Sequence, residues 1–369
     1  MGEATTKLRY LLYLLNWGFM NHAVILAGGV GTRLWPFSRR SSPKQFQSFL
    51  GKRTLLQHTF ERAAKLVGKD NVWLVTINDH AEQTKTQLPQ LKLQQIICEP
   101  CGRNTAAAIS LAAQTIIDID PEANLAIFPS DHYIGLPKEF QVVCKKALDF
   151  CRQHQQYLLT SGIQATEPNT GYGYIEVGRP ISAQKDQVFA VKRFREKPDL
   201  KTAQKYVRSG KFLWNSGCFF ARAETINKLF AEHAPEIDSG IKEFRANQQT
   251  KSYQAVPSQP FDSAVVEKAK HRAVIPAIVQ WSDLGNWEAL YQILLEKSDT
   301  SNIVVGTHQG INSENSLIIS QNKLIATVGI KDAIIIETDE AILVCQRDSV
   351  QDVKKLVEKL DELGHGKYL

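Results

Sequence analysis

A chain of 369 residues, 43% hydrophobic and 22% charged, has the composition of a folded globular protein of about two domains, which excludes a disordered or fibrous chain. Its net charge of +6 is modest, and no Lys/Arg-rich tract interleaved with aromatics marks a nucleic-acid surface. Six cysteines are scattered, and the pair at metal-knuckle spacing, Cys98 and Cys101, has no second Cys or His pair nearby to complete four ligands, so reduced thiols are expected.

The first segment, residues 1–19, holds an apolar run behind Lys7 and Arg9. It is too short to span a membrane and has no small-x-small cleavage site before Met20, which reads as a natural start. A disordered or artefactual extension without stable membrane insertion is expected. Val24-Ile25-Leu26-Ala27 then reads as a buried parallel strand. It leads into Gly28-Gly29-Val30-Gly31-Thr32-Arg33-Leu34-Trp35-Pro36, and later Pro43-Lys44. Glycines after a strand let the backbone approach a ligand, and their N–H groups form an anion-binding concavity. A folded loop can bring Arg33 and Lys44 to one polyphosphate. No acidic residue occurs between Glu3 and Glu61, whereas Arg33, Arg39, Arg40, Lys44, Lys52 and Arg53 all do. This suits a multiply charged anion, with Arg39 and Arg40 expected as surface charges adding to the field. The P-loop pattern is absent. The dinucleotide fingerprint fails because Leu34 stands where its third glycine belongs and the next acid comes only at Glu61.

Further along, apolar spacing predicts a helix over 54–67, a strand over 72–76 and another over 95–98. Asn104-Thr105-Ala106 is expected to cap an alanine-rich helix reaching about residue 119. A strand over 125–128 ends in Pro129-Ser130-Asp131-His132. This alternation implies an open, mostly parallel sheet with helices on both faces and ligands at the carboxyl ends of its strands. The glycine loop, the turn at Arg103-Asn104, and Asp131 all follow such ends. The middle third reads as strands over 171–177 and 188–194, a helix over 199–207, and strands over 218–221 and 274–279. Asp283 precedes a helix containing Leu290 and Leu294. After about residue 298, short β-rich runs recur at 302–306, 316–320, 324–329, 333–337 and 341–345. A closing helix over 349–363 is expected to dock on its own chain, capped by Ser349 and Asp352. The resulting division is 1–19, 20–297 and 298–369.

These blocks resemble the mannose-1-phosphate guanylyltransferases within the sugar nucleotidyltransferases. The likeness runs from Met20 to about Leu295 and more faintly beyond. It rests on the glycine loop with Pro43-Lys44-Gln45-Phe46, and on Glu99-Pro100 with Gly102-Arg103-Asn104-Thr105-Ala106. Phe128 to His132, Gly171 to Ile175, Phe194 with Glu196-Lys197-Pro198, Trp214 to Gly217 and Trp281 to Gly285 complete it. The resemblance implies a Rossmann-like, GT-A-like α/β fold with a mixed, mostly parallel sheet. It also implies a small C-terminal domain like a left-handed β-helix, packed on the catalytic domain or on a neighbouring subunit, which leaves room for a homo-oligomer.

The implied reaction joins GTP and α-mannose 1-phosphate to give GDP-mannose and pyrophosphate in the cytoplasm, by in-line attack on the α-phosphorus. In the roles carried over, Arg33 and Lys44 hold the β- and γ-phosphates, and Asp131 and Asp283 hold Mg²⁺. Lys197 reaches the sugar phosphate, and Glu196, Asn215, Tyr172 and Gly173 bind the sugar. Arg103 and Asn104 lie near the guanine, and Gly28, Gly29, Gly31 and Thr32 line the nucleotide. His132 is expected to be structural, because the transfer requires no base; Glu176 stands between a sugar and a solvent role. Two alternatives use the same residues: another hexose phosphate with UTP or dTTP, and a non-catalytic nucleotide-sugar-binding regulatory relative. Some relatives carry a further cupin domain with isomerase activity; a single activity is expected here.

Overall fold

The structure, a computed structural model, describes residues 20–29, 31–181 and 188–369. The extension at 1–19 and Val30 of the glycine loop lie outside the described residues. The chain forms two compact units. The first comprises the described residues up to Gly28 together with Phe60–Pro129 and Gly135–Gln280; the second comprises those of Gly29–Thr59, Ser130–Ile134 and Trp281–Leu369.

In chain order the first strands are β1 (Asn21–Ala27), β2 (Val72–Ile77), β3 (Ile96–Glu99), β4 (Asn124–Pro129), β5 (Tyr133–Ile134), β6 (Leu158–Gln164), β7 (Tyr174–Pro180), β8 (Phe189–Arg195), β9 (Phe212–Arg222), β10 (Arg272–Pro276) and β11 (Trp281–Ser282). Nine of them form the sheet of the first unit, in the order β3-β2-β1-β4-β9-β6-β10-β8-β7. Its first half is parallel, with Val24 of β1 opposite Trp73 of β2 and Ile127 of β4. Apolar runs such as Ala23-Val24-Ile25 are fully buried, as parallel strands covered on both faces require. Beyond β4 the sheet is antiparallel, apart from the parallel pair β6 and β10. The sheet is therefore mixed.

The helices are α1 (Leu55–Val67), α2 (Ala81–Gln87), α3 (Asn104–Ile117), α4 (Pro137–Gln153), α5 (Leu200–Ser209), α6 (Ala223–His233), α7 (Pro235–Asn247) and α8 (Thr250–Ala255). The small residues of α3, Ala106 to Ala108 and Ala112-Ala113, are buried, and the helix packs against α6 and α7. α5 starts where Asp199 accepts the Thr202 N–H and stops at left-handed Gly210. The expected cap on α3 is not made. Arg103 holds the cap position, Asn104 sits at φ +63°, and its Oδ1 accepts the neighbouring Thr105 N–H. The Thr105 hydroxyl is instead taken by the Phe261 N–H at 2.8 Å.

The second unit contains the glycine loop, the antiparallel pair β5 and β11, and α9 (Trp287–Leu295), whose N-cap Asn286 accepts the Ala289 N–H. Six short strands follow: β12 (Ile303–Val305), β13 (His308–Ile311), β14 (Leu317–Ser320), β15 (Ile325–Val328), β16 (Ala333–Glu337) and β17 (Ile342–Gln346). β12, β14 and β16 stack in parallel, as do β13 and β15, and antiparallel β17 flanks β16. That is the winding of a β-helix. β13 has no counterpart among the expected runs, because His308-Gln309-Gly310-Ile311 carries no apolar alternation. The core of this unit joins Leu34, Trp35 and Phe49 of the loop to Trp287 and Leu290 of α9. Ile303, Leu317, Ile334 and Leu343 of the strands belong to it too.

The closing helix differs from expectation. A 3-10 segment occupies Arg347–Asp352, and α10 spans Val353–Glu362. No side-chain cap forms; Ser349 donates to Asp348 instead. Because α10 starts later, Val350 and Val353 are buried while Leu356 and Leu363 are 40% and 61% exposed. Among the described residues, no helix is long and apolar enough to cross a membrane.

Candidate active site

The expected residues fall into three clusters, one in the second unit and two in the first. In the second unit the loop turns at Gly31, where φ is +77° and a Cβ would come within 2.5 Å of Lys44 Cβ. Only glycine allows the loop to close over Lys44 in this way. Thr32–Leu34 forms one 3-10 turn that buries Leu34 and exposes Arg33. A second such turn, Lys44–Phe46, carries Lys44, only 5% exposed. Its ammonium donates to Asp131 Oδ2 at 2.7 Å and to the backbone oxygen of Asp283.

Asp131 lies two residues past β4. Burial works against its charge, but Lys44 and His132 more than offset this and hold its carboxyl below the ordinary value. Asp283 lies one residue past β11; its Oδ1 accepts the Gly285 N–H at 2.9 Å, and a Cβ on Gly285 would sit 2.8 Å from Oδ2. Thr32, Arg33, Lys44, Asp131, Asp283 and Lys354 line one cleft of ≈ 320 Å³. His132 accepts the Trp281 indole N–H, consistent with a structural role. Arg39 and Arg40 do not add freely to the field of the loop. They are paired with Glu340 at 2.9 Å and Asp361 at 2.5 Å, carboxylates about 300 residues further along the chain that sequence spacing cannot associate with them.

Mg²⁺ prefers octahedral oxygen ligands, keeps several waters, and is commonly held by one or two carboxylates plus substrate phosphates. Asp131 and Asp283 fit this need: both line the cleft, Asp131 stays ionised, and Gly285 leaves the Asp283 carboxylate room. Among the described residues, no group of three or more His, Cys, Asp or Glu forms a fuller cage.

The second cluster surrounds Gly173 in the first unit. The Asn215 N–H donates to Gly173 O at 2.8 Å, and a Cβ on Gly173 would meet Glu196 Oε2 at 2.5 Å. Lys197 adopts φ +42°, donates its backbone N–H to Tyr172 O, and places its ammonium 3.3 Å from Glu196. Tyr172 meets Trp214 edge-on at 5.1 Å. The Asn215 amide is oriented from both ends, donating to Asp262 Oδ1 at 2.8 Å and accepting from Thr160 Oγ1 at 2.9 Å. Burial, with Glu196 nearby, lifts the Asp262 carboxyl to about 7. Burial also raises Glu196, partly offset by Lys197. Glu176, by contrast, is paired with Lys192 at 2.8 Å.

The third cluster is also in the first unit. Glu99, at the end of β3, is 3% exposed and accepts the Tyr253 hydroxyl at 2.5 Å. Burial lifts its carboxyl to about 7 against that hydrogen bond. Its other oxygen, Oε2, faces Gly28, 3.8 Å from where a Cβ there would stand. Arg103 donates to the backbone oxygen of Gln254, next to Tyr253. Gly28 and Asn104 are exposed, as is Gly29, which belongs to the second unit.

Sequence reasoning missed Glu99, Tyr253, Asp262, Thr160 and Lys354 as site residues. Glu99 stood inside a recognised block and could have been singled out as an acid in an apolar strand. Asp262 and Lys354 stand in none of the recognised blocks.

A family model described as Nucleotidyl transferase matches residues 22–300, and one described as MannoseP isomerase/GMP-like beta-helix domain matches residues 301–360. The chain is 38% identical to mannose-1-phosphate guanylyltransferase of Salmonella muenchen, over 91% of this chain and 72% of that one. It is 35% identical to the enzyme of the same name from Escherichia coli K12, over 93% and 74%. The crystal structure of mannose-1-phosphate geranyltransferase from Thermus thermophilus superposes with a TM-score of 0.83 at 28% identity, covering 93% of this chain and 100% of that one.

Proposed function

The chain belongs to the nucleotidyl transferase family, among the mannose-1-phosphate guanylyltransferases, and on that premise we propose that it transfers GMP from GTP to α-mannose 1-phosphate, releasing pyrophosphate. The observation that carries this reading is the cleft in which Arg33, Lys44, Asp131 and Asp283 meet, with Lys44 bonded to Asp131. A phosphate oxygen of the sugar forms the new bond to the α-phosphorus as the bond to the departing pyrophosphate breaks. Such transfer depends on alignment and charge neutralisation rather than on a protein nucleophile. Arg33 and Lys44 bind the β- and γ-phosphates and steady the leaving group. Gly31 and Thr32 border the same phosphates, and Asp131 and Asp283 hold Mg²⁺. When bound, the ion neutralises phosphate charge and orients the oxygens.

The cluster at Glu196, Asn215 and Tyr172-Gly173 takes the sugar hydroxyls, with Asp262 and Thr160 holding the Asn215 amide in place. Lys197 takes the sugar phosphate. Gly28 and Gly29 border the base and ribose, with Arg103 and Asn104 nearby. The buried Glu99 carboxylate has the chemistry to accept from the N1–H and amino group of guanine, which supports GTP over a pyrimidine nucleotide. Six unpaired cysteines support a cytoplasmic location.

The test is pyrophosphate release across a grid of GTP, UTP and dTTP with mannose and glucose 1-phosphates, in the presence of Mg²⁺. GTP with mannose 1-phosphate is expected to dominate. Release confined to a glucose 1-phosphate pair, or none with any pair, would sink the assignment. Asp283→Asn should lower turnover by more than about a hundredfold without changing the melting temperature. Near-normal turnover in that variant would remove Asp283 from the metal site.

A further inference from the structure

We propose that Lys354, in the first turn of α10, is a phosphate-binding residue of this site, gripping the terminal phosphates of the nucleotide and the departing pyrophosphate. The inference deepens the reading above and rests on it. Lys354 lies in the β-rich C-terminal segment, yet it lines the same ≈ 320 Å³ cleft as Arg33, Lys44, Asp131 and Asp283. α10 packs on the turn Thr32–Leu34 that carries Arg33, so the packing of this helix on that turn holds the two cations at one cleft.

Charge balance gives this placement its meaning. Arg33 and Lys44 are matched one for one by the carboxylates of Asp131 and Asp283, and the Lys44 ammonium is already bonded to Asp131. Among the described residues lining the cleft, Lys354 is the one that turns it from formally neutral to cationic, which is what a polyphosphate needs on entry. At rest its ammonium lies 3.5 Å from Glu358 Oε1, one helical turn on, with the two side chains 53% and 57% exposed. An exposed pair of this kind is weak and easily exchanged for a phosphate oxygen. Glu358 thus competes with the substrate for the lysine.

The experiment titrates inorganic tripolyphosphate with Mg²⁺ into the full chain by calorimetry, alongside kcat and KM for GTP. Lys354→Met is expected to weaken tripolyphosphate binding and raise the GTP KM by about tenfold, with kcat changed less. Lys354→Arg should restore most of the loss, and Glu358→Gln should tighten binding by about twofold. The deficit of Lys354→Met should shrink as salt rises from about 0.05 to 0.5 M, because exposed charges are screened. Equal tripolyphosphate affinity in the wild type and Lys354→Met overturns the proposal. So does a deficit that salt leaves unchanged or that arginine fails to restore. The probe carries no base or sugar, so failure to make GDP-mannose would strike the substrate assignment and leave the Lys354 result intact.

Discussion

Glu99 closes β3 with its carboxyl pushed up to about 7 by burial, so it titrates in the range where the enzyme would work. An acceptor for guanine must be ionised. As pH falls through 7 the group takes up its proton and loses that capacity. The KM for GTP should therefore rise on acidification by up to about tenfold per pH unit below 7, and Glu99→Gln should raise KM and flatten the dependence. Superimposable profiles for the wild type and Glu99→Gln would rule out this role. At this scale the sequence is informative wherever a residue belongs to a rigid local pattern. Gly31, Arg33 and Lys44 are legible because their spacing encodes a loop that only glycine can close. Asp262 is not, because its importance comes from Asn215, 47 residues away, whose amide it holds.

Among the elements, α9 is tied to the β-rich segment by Arg347. The guanidinium makes two 2.7 Å hydrogen bonds to the Glu288 carboxylate and lies 4.0 Å over the Tyr291 ring, so one face of the helix is gripped at two positions. α9 begins four residues after Asp283. In a double-mutant cycle followed by urea unfolding, Glu288→Gln and Arg347→Met should couple by about 1–2 kcal/mol. Strictly additive effects would mean that the pair contributes nothing beyond packing. Arg347→Lys should recover little, since the bidentate and stacked contacts both need the planar group. The sequence shows α9 as an apolar helix but does not show its latch, which joins residues 59 apart.

For the whole molecule, the notable fact is that the second unit is discontinuous in sequence. Leu34, Trp35 and Phe49 of the glycine-loop region share a core with Ile303, Leu317, Ile334 and Val353, and the Trp35 indole donates to Tyr368 O at 2.7 Å. A chain cut after residue 300 keeps every residue matched by the nucleotidyl transferase model, yet it strips this core from beneath the loop. Such a chain should lose tripolyphosphate binding and become protease-sensitive within residues 29–59. Retention of wild-type binding would show that the loop folds without the C-terminal strands.

The sequence by itself determined the local devices: a buried strand, a loop of glycines with fixed cations, an aspartate, Asp131, placed just past a strand end, and another, Asp283, placed just before a helix. Backbone sterics and short-range spacing act within a few residues, and one chain displays them directly. Tertiary structure alone decided the company those residues keep. It set Lys44 against Asp131, paired Arg39 and Arg40 with distant carboxylates, buried Glu99 beside Tyr253, and brought Lys354 into one cleft with Arg33 and Lys44. Those contacts follow from how helices and strands pack, and packing joins positions that have no fixed separation along the chain.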